Sequence, residues 1–209
     1  MRPNVASLVR LMLVTDDRLL AGRDPVALAR EAEAGGATAV QLRLKQASPR
    51  EQLAVARALV AALRIPVLVN DRPDVALAAG AAGVHLGPDD VPVPVARAIA
   101  PAGFIVGASV GSEAEAATAA DADYWGIGPW RVTSTKADAG EPLGAAGFAR
   151  LVALANGRPC IAIGSVRPED GPLVRAAGGV GVAAISGLLA SDDVRGAAAA
   201  YARAWSSGG

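Results

Sequence analysis

The chain has 209 residues, 52% of them hydrophobic, enough to bury one sizeable core. Its 20 acidic and 20 basic side chains balance, which excludes a polyanion-binding protein by bulk charge, and a single cysteine, Cys160, excludes an intramolecular disulfide. No apolar run approaches the length of a membrane span and the N-terminus carries no signal-peptide pattern, so the chain reads as cytoplasmic.

Residues 11–16 (LMLVTD) predict a first strand that ends in an acid. Asp24 and Pro25 then open a helix that runs to Gly35 and Gly36, with Asp24 as N-cap and Pro25 at the first helical position. Residues 39–45 (AVQLRLK) alternate as a second strand, with Gln41, Arg43 and Lys45 on one side and Leu42 and Leu44 on the other. In a closed barrel the polar side would face the interior and mouth, a costly place for cations without an anion to meet. Ser48 and Pro49 open a second helix with apolar positions at Leu53, Val55, Leu59, Val60 and Leu63.

Residues 66–90 carry the strongest signal. The runs 66–69 and 84–86 are continuously apolar, as in strands covered on both faces, with a short helix over 75–80 between them. Each run ends in groups that an apolar core rejects: Asn70 and Asp71 after the first, His85 and Asp90 at or beyond the second. Asn and Asp often merely turn a chain into a helix. Two neighbouring strands with such ends instead predict one rim carrying two carboxylates, an amide and an imidazole. A hard cation such as Mg²⁺ takes one or two carboxylates plus substrate oxygens.

Further along, the pattern predicts helices over 92–100, 112–122, 145–154, 168–177 and 192–205. Strands are predicted over 104–110, 124–128, 159–164 and 181–186. Eight strands alternating with eight helices across short crossovers, without a Rossmann glycine fingerprint, predict a single (β/α)₈ TIM barrel over residues 1–209. Chemistry in that fold lies at the C-terminal strand ends. Those ends add Ser109 on strand 5, Thr133, Thr135 and Lys136 after strand 6, Gly164 and Ser165 after strand 7, and Ile185 and Ser186 at strand 8. The loops after strands 7 and 8 are the usual phosphate cradle. Lysine occurs only at Lys45 and Lys136, against eighteen arginines, and both fall at strand-to-loop junctions. Cys160, inside an apolar run, reads as core filler.

The runs Leu13 to Asp16, Gln41 to Lys45, Asn70 to Arg72, Gly83 to Gly87 with Asp90, Gly107 with Ser109, Gly128 with Pro129 and Thr133 to Lys136, Ala162 to Gly164, and Ala184 to Ser186 stand in order along nearly the whole chain. Together they resemble the thiamine phosphate synthase family. The resemblance implies an Mg²⁺-dependent transferase that joins hydroxymethylpyrimidine diphosphate to a thiazole phosphate and releases diphosphate. It implies small-molecule partners, no nucleic acid and no membrane, and leaves a homo-oligomer open. By the same resemblance Arg43, Lys45, Asn70 and Lys136 hold the diphosphate, and Asp71 with Asp90 holds Mg²⁺. Gln41, His85 and Ser109 address the pyrimidine. Thr133, Thr135, Ser165, Ile185 and Ser186 hold the thiazole phosphate. The implied chemistry is dissociative, centred on Lys136, Arg43 and Ser109, through a carbocation that the thiazole nitrogen captures.

Four positions depart from the family pattern: Leu44 replaces a common acid, Pro88 a glutamine, Gly111 a histidine and Ser165 a glycine. A related thiazole tautomerase on the same barrel would need that histidine, because glycine moves no proton. A non-catalytic barrel binding a thiamine precursor is the third reading, and the intact acid pair and both lysines speak against it. Ser165 is expected to keep its N–H for the phosphate and to bring its hydroxyl within reach of it.

Overall fold

The computed structural model describes residues 4–132 and 140–206. Thr133, Thr135 and Lys136 therefore lie outside the described residues. In chain order the strands are β1 (Leu11–Val14), β2 (Ala39–Leu42), β3 (Val67–Asn70), β4 (Gly83–Leu86), β5 (Ile105–Val110), β6 (Tyr124–Ile127), β7 (Cys160–Ala162) and β8 (Gly181–Ala184). Each pairs in parallel with its neighbours and β8 pairs with β1, closing the predicted barrel. The helices are α1 (Val5–Leu8), α2 (Asp17–Leu20), α3 (Pro25–Ala34), α4 (Pro49–Ala62), α5 (Pro73–Ala79), α6 (Val93–Ile99), α7 (Glu113–Thr118), α8 (Gly144–Ala153), α9 (Gly171–Ala176), α10 (Ser186–Leu189) and α11 (Val194–Ser206). Among the described residues no helix is long and apolar enough to cross a membrane.

The predicted caps form. Asp24 accepts from the Val26 N–H at 2.9 Å, and Ser48 and Glu51 complete a reciprocal cap on α4. The outer core lies between strands and helices, where Val40, Leu42, Val69, Leu86 and Trp125 meet helix residues such as Leu59, Ala96 and Leu151. A second, inner cluster fills the barrel with Met12, Leu68, Ile105, Tyr124 and Ile161. Val5 and Leu8 of α1 pack against that inner cluster.

Several boundaries differ from the sequence-based expectation. The second strand stops at Leu42 rather than Lys45 because side chains of the β1 loop take over its N–H groups. The Arg43 N–H donates to Thr15 Oγ1 at 2.7 Å and the Lys45 N–H to Asp17 Oδ2 at 2.8 Å. The helix predicted over 112–122 ends at Thr118, since Trp125 Nε1 and Arg158 Nε draw off the carbonyls of Ala119 and Ala122 at 2.9 and 2.6 Å. The helix predicted over 168–177 breaks into a tight turn, Pro168–Asp170, followed by α9. Pro172 has no N–H to donate and its ring would crowd the carbonyl four residues back, so a continuous helix cannot pass. The short helices α1, α2 and α10 are too brief for a helical period to register in the sequence.

The barrel interior is tight where Tyr124 lies. Its ring is fully buried, and a Cβ added to Gly107 on the adjacent strand would sit 2.2 Å from Cε1 and Cζ. Glycine is the residue that admits the tyrosine. Gly107→Ala should therefore lower unfolding free energy by about 1–3 kcal/mol, the usual penalty of overpacking, as measured by urea titration. An unchanged midpoint would show that the ring is free to move aside.

Candidate active site

The C-terminal strand ends enclose a cavity of about 480 Å³. Arg43, Lys45, Asn70, Asp71, Asp90 and Ser109 line one part of it, and Gly164, Ser165, Ile185, Ser186 and Gly187 another. Of the residues singled out from sequence, Gln41 and His85 do not line it. They are 3% and 4% exposed and lie inside the barrel beneath the opening.

Each described cation at this rim meets an acid from a neighbouring strand. Arg43, 8% exposed, is held by Asp16 at 2.9 Å, while its backbone is bracketed by Thr15. Lys45 forms an ion pair with Asp71. Asp71 takes a left-handed backbone, φ 64°, which aspartate tolerates better than most residues, and its N–H donates to the His85 carbonyl at 2.8 Å. Its carboxylate caps no helix, because α5 starts at Pro73 with Arg72 in the cap position and no side-chain cap bond. Instead it meets Lys45 and also hydrogen-bonds to Asp90. Asp90 accepts from the Gly87 N–H at 2.6 Å as well.

These contacts push the two carboxyls apart. Burial raises Asp90 and the neighbouring Asp71 carboxylate adds to it, moving its pKa up to about 6. Burial also acts upward on Asp71, but the hydrogen bonds with Asp90 and Lys45 outweigh it and hold Asp71 below the ordinary value. A carboxyl pair of this kind, one favoured as the anion and one reluctant, is a place where a divalent cation is accepted readily.

On the other side, β7 and β8 end in backbone suited to an anion. The helix α10 begins at Ser186, so the first N–H groups of its opening turn have no helical carbonyl to meet. A Cβ on Gly187 would fall 2.1 Å from the Tyr201 hydroxyl, which itself donates to the Val166 carbonyl at 2.7 Å. Only glycine leaves that tie between α11 and the β7 loop in place.

Ser165 sits at φ 50°, and its hydroxyl donates to the Val132 carbonyl at 2.9 Å. The neighbouring Arg131 donates to the Ser165 carbonyl at 3.3 Å and pairs through both Nη atoms with Asp170, whose side chain is 1% exposed. The start of the β6–α8 connection is thus tied to the β7 loop by side chains that no sequence spacing announced. Three further groups were given no role from sequence. Asp16 orients Arg43, and its strand-end position was the available signal. Glu115 lines the cavity and accepts from the Gly111 N–H at 2.5 Å. Tyr124 lies on His85 at 2.8 Å.

The family model for thiamine monophosphate synthase matches residues 11–188. The thiamine-phosphate synthase of Azorhizobium caulinodans is 47% identical over 196 residues, covering 90% of this chain and 91% of that protein. That of Methanospirillum hungatei is 42% identical over 197 residues, covering 92% and 95%. Among solved structures, thiamine phosphate pyrophosphorylase from Pyrococcus furiosus superposes with a TM-score of 0.87 at 36% identity, covering 98% of each chain.

The Arg131–Asp170 pair has a measurable signature. Burial acts upward on Asp170, but Arg131 and the Arg167 N–H hold its carboxyl below the ordinary value. A depressed carboxyl stabilises the fold above its unfolded value of about 3.9, and the contribution is lost as pH falls through the lower, folded value. Arg131→Met should remove about 2 kcal/mol at neutral pH. The difference from wild type should shrink on acidification below about pH 4. A gap in urea midpoint that is the same at both pH values would show that no charge linkage exists here.

Proposed function

The chain belongs to the thiamine monophosphate synthase family and has thiamine-phosphate synthase activity, and from that premise we propose how its own residues serve the reaction. It joins hydroxymethylpyrimidine diphosphate to a thiazole phosphate and releases diphosphate. The observation that carries this reading is the contact of Lys45, Asp71 and Asp90 on adjacent strand ends, beside Arg43 and Asn70.

Asp71 and Asp90 fit Mg²⁺. They bring hard carboxylate oxygens close enough to hydrogen-bond to each other, a like-charge contact that a divalent cation relieves. Among the described residues no group of three or more His, Cys, Asp or Glu side chains gathers, so substrate oxygens and water would complete the coordination. Bound there, the ion would neutralise charge developing on the leaving diphosphate.

The chain supports bond cleavage by holding the leaving group. Arg43, Lys45 and Asn70 present two cations and an amide to the diphosphate oxygens, and Lys136 joins them by resemblance. As the methylene C–O bond breaks, the electron pair leaves with the diphosphate. The amino-substituted pyrimidine stabilises the carbocation, and the thiazole nitrogen's lone pair forms the new C–N bond. N–H groups after β7 and at the start of α10 fit the phosphate of the thiazole, with Thr133 and Thr135 joining by resemblance. The site needs no protein nucleophile, and Cys160 offers none: it is buried, and burial pushes its thiol up to about 12. Charged, water-soluble substrates suit a cytoplasmic enzyme.

Mixing both precursors with Mg²⁺ should yield thiamine phosphate, and failure to form it under any divalent cation would end the substrate assignment. Asp71→Asn and Asp90→Asn should each lower kcat/KM by at least about a hundredfold, because each removes a charge from the cation's site. Full activity of either variant in limiting Mg²⁺ would remove that carboxylate from the metal.

A further inference from the structure

A line of polar side chains crosses the barrel beneath the cavity floor. The Tyr124 hydroxyl lies 2.8 Å from His85 Nδ1, and His85 Nε2 lies 3.0 Å from Ser109 Oγ. Gln41 also hydrogen-bonds to the phenol, and its Nε2 is 3.4 Å from Met12 Sδ. Of these groups only Ser109 lines the cavity.

We propose that Tyr124 is a positioning residue: its phenol fixes the tautomer of His85 and thereby makes Ser109 a hydrogen-bond donor to a ring nitrogen of the pyrimidine substrate. This rests on the synthase reading for the identity of the ligand, but not for the direction of the chain.

The direction follows from counting protons. A phenol has one proton to give, and full burial raises its pKa, so it keeps that proton. The Gln41 amide donates to the phenol oxygen, which leaves the phenol proton for an acceptor. Among the described residues two acceptors lie beside it, His85 Nδ1 at 2.8 Å and the weak thioether of Met12 at 4.0 Å. The proton goes to Nδ1. In the neutral imidazole the ring's own proton is then on Nε2 and donates to Ser109 Oγ. Ser109, accepting on one side, turns its hydroxyl proton to the cavity.

That polarity opposes the arrangement in a hydrolytic triad. There the third group accepts from Nδ1–H, which leaves Nε2 free to take the serine proton. Here Nε2 carries the proton and cannot act as base toward Ser109. The same three residue types at hydrogen-bonding distance therefore make a recognition device rather than a nucleophile. An acceptor such as a ring nitrogen suits the outward hydroxyl, and a donor in the same place would leave two protons facing each other.

The chain holds one histidine, so ¹⁵N-histidine NMR reads His85 without assignment. At neutral pH the wild type should show a protonated Nε2 and an unprotonated Nδ1, and Tyr124→Phe should mix or reverse the tautomers. The same variant should raise KM for the pyrimidine diphosphate about three- to tenfold, the worth of one hydrogen bond, with KM for the thiazole phosphate unchanged. A tyrosine that only packs would alter melting temperature and leave tautomer and KM alone. A protonated Nδ1 in the wild type, or a Phe variant unchanged in both readouts, overturns the proposal. Absence of thiamine phosphate formation by the wild type overturns the ligand's identity instead, and the NMR result still decides the tautomer.

Discussion

The space inside the barrel is the constraint on which the rest of the structure depends. Eight strands close on an interior just wide enough to be filled by side chains, so large residues on some strands require small ones on their neighbours. Met12, Leu68, Ile105 and Ile161 from the odd strands supply most of the volume. Gly83, Gly126 and Gly181 on the even strands, and Gly107, leave room. Tyr124 enters because Gly107 has no side chain, and once in place its hydroxyl stands at the height of His85. Packing thus sets the polar chain: the tyrosine ring completes the apolar floor, and its one polar atom begins the line that ends at Ser109. An apolar residue in its place would fill the volume and leave a buried imidazole nitrogen without this donor, which costs more than the missing bond alone is worth.

The rim above obeys a different rule. Both described cations of the site arrive already paired, yet the two pairs are not equivalent. The Arg43 and Asp16 side chains are each 10% exposed, and Thr15 fixes the same segment of backbone, so the guanidinium has little freedom to leave. The Lys45 side chain is 52% exposed, and a pair in that setting is worth little. Its ammonium can leave Asp71 at small cost. The rim therefore carries one fixed cation and one exchangeable cation.

How much of this was legible in the sequence depends on the range of the interaction. The barrel follows from strand and helix alternation, which is local and repeated eight times. Asn70, Asp71 and Asp90 were visible because each places a polar group where an apolar run stops. The role of Tyr124 was hidden, since a tyrosine in a strand looks like core until the histidine two strands away is seen against it. Glu115 was hidden for a similar reason: it lies in a helix and reaches the cavity only because Gly111 offers its N–H at the turn. Gln41 and His85 were visible as polar groups on strands, but their burial within the barrel was not. Alternation along a strand gives the face of a residue but not its depth, and depth separates a residue at the opening from one beneath it.

Ser165 shows how a residue that breaks a local rule is stabilised by tertiary contacts. A serine at φ 50° is held in a region that glycine occupies freely, at an expense of about 1–3 kcal/mol. The strand end after β7 is crowded by Tyr201 from α11 on one side and Arg131 from the β6 connection on the other. Both partners bond to the loop's carbonyls, at Val166 and Ser165, and so fix the backbone irrespective of the side chain at 165. Given that backbone, the serine hydroxyl gains the Val132 carbonyl, an interaction that glycine cannot make. The serine therefore exchanges glycine's conformational ease for a tie between the β6 and β7 loops that border the cavity.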